Sequence, residues 1–164
     1  MAGTPPPDRD RAKEVIHMRS WGVILAVLLG TALTAWARKE ETLEALKSRA
    51  ESAKVADRPG ICTEIAERQL DAAHTLYTDG KAEQARAAID DVVLYSERAG
   101  DAAATSGKKL KHTEIVVRKM AHKLRDLKRT LSFEDQPPVQ NAIDRLEHVR
   151  TDLLSKMFGV KGEK

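Results

Sequence analysis

The sequence predicts an all-α protein, and three observations carry that expectation. Aromatic residues are only 4% of the 164 residues. Alanine and leucine dominate the apolar content and favour helix, while β-branched and aromatic strand formers are few. After residue 38, apolar positions recur at spacings of three and four, the period of one helix face. With the exception of Gly100, the glycines and prolines fall between these runs, as helix stops and starts do. The length suits one domain. The expected architecture is a small antiparallel helical bundle, or two stacked helical hairpins, preceded by an N-terminal signal or anchor helix.

That leading segment is Trp21 to Ala37, seventeen residues without a charge, with Arg19 before it and Arg38-Lys39 after. Trp21 to Leu33 has the length of a signal-peptide apolar region, and Ala35-Trp36-Ala37 fits the small-x-small pattern cut by a signal peptidase. Residues 1–20 read as a basic, disordered leader, long for its role, and Met18 offers an alternative start. The competing reading is an uncleaved membrane anchor, short for a span, with Trp21 and Trp36 at the two interfaces. Both readings export residues 38–164 to a periplasmic or other extracytoplasmic space.

The helical domain, residues 38–158, divides into five segments. The first runs from about Glu40 to Ala56, with Leu43, Leu46, Ala50 and Ala53 on one face and Pro59-Gly60 as its stop. The second, 61–77, buries Ile61, Ile65, Ala66, Ala73, Leu76 and Tyr77, and Asp79-Gly80 turns the chain. The third, 81–104, uses Ala85, Ala88, Ile89, Val92, Ser96, Ala99 and Ala103. Gly100 is expected to fray or bend it. The fourth, 109–131, is the most regular: Leu110, Thr113, Val117, Met120, Leu124, Leu127 and Leu131 form a heptad seam of coiled-coil type. The fifth follows Pro137-Pro138, capped by Asp135 or Gln136, and uses Val139, Ile143, Leu146, Val149, Leu153 and Met157. Short loops pair the second segment with the third and the fourth with the fifth. The tail, 159–164, is expected to be disordered.

Residues 66–99 resemble a single tetratricopeptide-like helical hairpin. Ala73, Leu76 and Tyr77 precede Gly80-Lys81, and Ala85, Ile89 and Val92 follow. Gln69 stands at the family's tryptophan position, Tyr77 is one place closer to the glycine than the pattern puts it, and no second copy occurs. The resemblance implies a protein-binding helical hairpin and no array, which needs about three repeats. The chain otherwise looks like an exported bacterial helical protein.

Charge is segregated along the chain. Cys62 to Ala104 carries nine acids against four bases, and Lys108 to Arg129 nine bases against two acids. Lys111, Arg118, His122, Arg125 and Arg129 form a stripe beside the apolar seam, and Lys109, Lys119 and Lys123 flank the seam's other side. This is a candidate surface for an acidic partner protein, an anionic ligand or a lipid headgroup. The bland alternative lays the acidic second and third helices against it. Nucleic acid is not expected, because export separates the two and no aromatic residue is interleaved for stacking.

Metal chemistry has weak candidates in Glu67, Asp71 and His74, spaced four and three on the second helix. No second Asp-x-x-His or Glu-x-x-His supplies the facing ligands. No nucleophile motif or phosphate-cradling glycine loop occurs. Asp90 and Asp91 are adjacent and point apart, which suits no shared acid–base task. Cys62 is the only cysteine, so packing rather than disulfides must hold the domain. It is expected to be a small buried apolar residue, or a thiol linking two chains. The expectation is therefore a non-enzymatic extracytoplasmic interaction or structural protein without a cofactor. Its partner is an unknown protein or a second copy through its helices, with membrane contact through residues 21–37 if uncleaved. The alternative is a small envelope protein binding an anion through 109–131 or a metal through 61–77.

Overall fold

The three-and-four spacing after residue 41 resolves into five helices. The computed structural model describes residues 41–159, part of a unit that begins at Glu41. The helices are α1 (Leu43–Ser52), α2 (Arg58–Thr78), α3 (Ala82–Ser106), α4 (Leu110–Thr130) and α5 (Gln136–Phe158), with a 3₁₀ turn at Phe133–Asp135 before α5.

Two boundaries differ from the expectation. α1 ends at Ser52, and Pro59 sits in the first turn of α2. Proline lacks an N–H that the first turn would leave unpaired anyway, so Pro59-Gly60 starts a helix instead of stopping one. Asp135 holds the cap position of α5 but makes no capping bond there. Its carboxylate accepts from Ser132 Oγ and Arg86 Nη2, both at 2.9 Å.

The two hairpins form as the short loops require. α2 pairs with α3, and α4 pairs with α5. Within each the helices are antiparallel, as Lys128 beside Gln140 and Glu114 beside Arg150 show for α4 and α5. Across the hairpins the numbers rise together. Glu97 meets Arg145 and Gly100 meets Val149, so α3 and α5 run parallel. Both tight turns therefore lie at one end, where Arg86 of α3 joins Asp135.

The heptad seam is used inside the chain. Val117, Met120, Leu124 and Leu127 are buried in one core with Ile65, Leu70, Ile89, Val92, Ile143, Leu146 and Leu153, and Thr113 is fully buried as well. The seam is thus not left open for a second chain. Gly100 does not fray α3, which continues to Ser106. A Cβ at Gly100 would lie 2.7 Å from Val149 Cγ1, so glycine is what lets α3 and α5 approach. α1 is held by Leu46 and Ala50, both buried. Asp91 of α3 ties it down by accepting from Lys47 of α1 at 2.8 Å and from Gln69 of α2. That contact raises the Lys47 pKa.

The membrane expectations need correction. Among the described residues no helix is long and apolar enough to cross a membrane. Membrane contact and a transmembrane helix therefore have no element in the fold to rest on. The segment Trp21 to Ala37, its signal or anchor reading, the cleavage motif, the Met18 start and the leader 1–20 lie outside the described residues. So does the tail beyond Gly159.

Candidate functional site

The outer face of α4 is where the expected binding residues gather. Burial of the seam turns Lys111, Arg118, Lys119, His122, Lys123 and Arg129 to solvent, while Arg125 is half-buried toward α5. Among the described residues, acidic α2 and α3 reach this face through one exposed ion pair, Lys123 Nζ to Asp71 Oδ1 at 3.2 Å. Arg125 goes instead to Glu147 of α5. Arg129 and His122 share Asp126 on their own helix, each at 3.2 Å. Arg118 lies 3.8 Å from Glu114. Among the described residues Lys111 and Lys119 meet no carboxylate at ion-pair distance. Exposed pairs of this kind contribute roughly 0–1 kcal/mol each, so the face stays open to competition from an acidic partner.

Glu114 is the acid that sequence reasoning passed over. It is 7% exposed and takes Arg150 Nε at 2.9 Å. That hydrogen bond, with a second that Arg150 donates to Glu147, raises the Arg150 pKa. The signal was an acid one place beyond a seam residue in an otherwise basic helix. It marks a partner on the neighbouring helix, not a free charge.

Two clefts border α4. The first, of about 410 Å³, lies between α2 and α4 and is lined by Leu70, Asp71, His74, Lys123, Asp126, Leu127 and Thr130. It joins two of the three metal candidates to the basic helix. Glu67, Asp71 and His74 are all exposed on α2, and Asp71 is already engaged by Lys123. Among the described residues no group of three or more His, Cys, Asp or Glu side chains is placed to hold a metal ion. The second cleft, of about 510 Å³, opens between the end of α4 and the start of α5. It is lined by Arg125, Lys128, Arg129, Gln136, Gln140 and Ile143.

Cys62 is buried at 2% exposure and unpaired. Burial raises its pKa, against the opposing pull of Arg98 and Arg58. The buried reading holds, and the thiol is not displayed for a link to a second chain. His112, His122 and His148 stay apart on exposed helix faces.

No family model, curated protein or solved structure matches the chain.

Proposed function

We propose that this chain is a non-enzymatic helical interaction protein that binds an acidic partner protein through the outer face of α4, and that it works outside the cytoplasmic membrane. One observation carries the binding reading. α4 presents six basic side chains to solvent, and the carboxylates within the described bundle meet only some of them. A mainly positive helix face draws an oppositely charged surface and orients it on approach. The likeness of residues 66–99 to a tetratricopeptide unit supports the same reading. Ala73 and Ala85, its small residues, are fully buried, as a tight helix crossing requires. The non-enzymatic part rests on the sequence, which carries no catalytic motif. The extracytoplasmic part rests on Ala35-Trp36-Ala37, and recovery of native protein beginning at Arg38 would support it.

The binding test uses poly-glutamate as the acidic probe at low ionic strength. Binding should weaken steeply with added salt, because the charges involved are exposed and screened. The double variant Lys111→Glu, Lys119→Glu should lose it while keeping the helical circular dichroism of the parent. Equal binding by parent and variant would sink the proposal.

A further inference from the structure

The cleft between α4 and α5 differs from the open face in having walls. Arg125, Lys128 and Arg129 come from the last turns of α4, and Gln136 and Gln140 from the first turns of α5, above the nearly buried side chain of Ile143. Lys128 is half-buried, and Gln140 Oε1, a neutral amide oxygen, accepts from its Nζ at 2.7 Å. Among the described residues no carboxylate meets this ammonium. A partly desolvated charge facing only an amide is less well compensated than the other cations nearby.

The two amides are fixed by their own bonds. Gln136 Nε2 donates to Leu131 O at 3.2 Å, and Gln140 Nε2 donates to Asp144 Oδ1 at 2.7 Å. Arg129 spends one N–H on Asp126 and Arg125 one on Glu147, so each guanidinium keeps donors in its fork. Pro137 and Pro138 remove two backbone N–H groups from the first turn of α5. The charged donors lining the cleft for an incoming oxyanion are side chains, led by Lys128 and Arg129.

We infer that this cleft is an oxyanion site that receives one carboxylate of the acidic partner, with Lys128 as the central charge and Arg129 as the fork. The inference rests on the proposed function and says where on α4 the partner is anchored. The rest of the face steers the partner; the cleft holds it. Lys128 was absent from the residues singled out by sequence, because it lies toward α5 and off the outward stripe.

The test measures binding of a fluorescent glutamate-rich peptide by anisotropy at low ionic strength. Lys128→Gln removes the charge and keeps a polar side chain of similar reach. It should bind about tenfold more weakly, the loss of one charge-assisted hydrogen bond. Lys128→Arg should restore most of the affinity, whereas Lys54→Gln, exposed between α1 and α2, should change it by about twofold or less, as a single screened surface charge does. Inorganic phosphate should displace the peptide from the parent more effectively than from Lys128→Gln. Peptide affinity unchanged in Lys128→Gln but lost in Lys111→Glu, Lys119→Glu would overturn the cleft and leave the face standing. No binding by the parent would overturn both.

Discussion

A single methyl group decides how closely the two hairpins sit. Gly100 carries no Cβ where one would lie 2.7 Å from Val149 Cγ1. Valine is stiff at χ1 and cannot simply swing aside within a helix. Gly100→Ala gains roughly 1 kcal/mol of helix propensity, but forcing the extra carbon into the crossing costs about 1–3 kcal/mol. The expected outcome is a modest net loss in chemical denaturation. In a Val149→Ala background the clash is gone, and the same change should be neutral or stabilising. A double-mutant cycle reads the difference directly. The sequence offered Gly100 only as a weakness in a helix. Its use depends on a residue 49 places away, which no local pattern can announce. Asp91 is similar. Beside Asp90 it looked like an unhelpful acid pair, and only the neighbouring α1 and α2 make it the acceptor for Lys47 and Gln69.

The elements themselves were legible, because 3.6-residue periodicity and proline–glycine punctuation are local. The misread boundary at Pro59 had a physical cause: proline ends helices and also begins them, and composition does not distinguish the two roles. The contact between hairpins was hidden for a different reason. Arg86 of α3 and Asp135 of the turn before α5 are far apart in sequence. Ser132 and Arg86 together hold the Asp135 carboxyl below the usual carboxylate range, the Ser132 hydrogen bond contributing most. A lowered folded-state pKa stabilises the protein above the ordinary value of about 3.9, and the benefit is lost as pH falls through the lowered value. Asp135→Asn should therefore reduce the thermal midpoint at neutral pH. The gap from the parent should close in acid, below the range where an ordinary aspartate titrates. A gap that persisted there would mean that the clasp is not electrostatic.

At the scale of the whole molecule, the charge segregation visible along the chain proved to be mostly a surface property. The basic segment could be read from the sequence; its division into an open face and a walled cleft could not. That division depends on α5 lying beside the last turns of α4. The core is continuous from α1 to α5, but α1 is a ten-residue helix, too short to persist alone. Its chief anchor is Leu46, and Leu46→Ala should cost about 2–5 kcal/mol. Cys62 lies where α1, α2 and α3 meet, in a cleft with Ala50, Arg58, Arg98 and Ala102. Its labelling by an aromatic disulfide reagent should be slow in the parent. Leu46→Ala should speed it at least tenfold, with only weak dependence on urea, because lifting α1 exposes little surface. A steep urea dependence would mean that the whole bundle opens instead. The lone cysteine would then serve as a clock. Each modified thiol would record one departure of the first helix, timing the least secure joint of the bundle without an added probe.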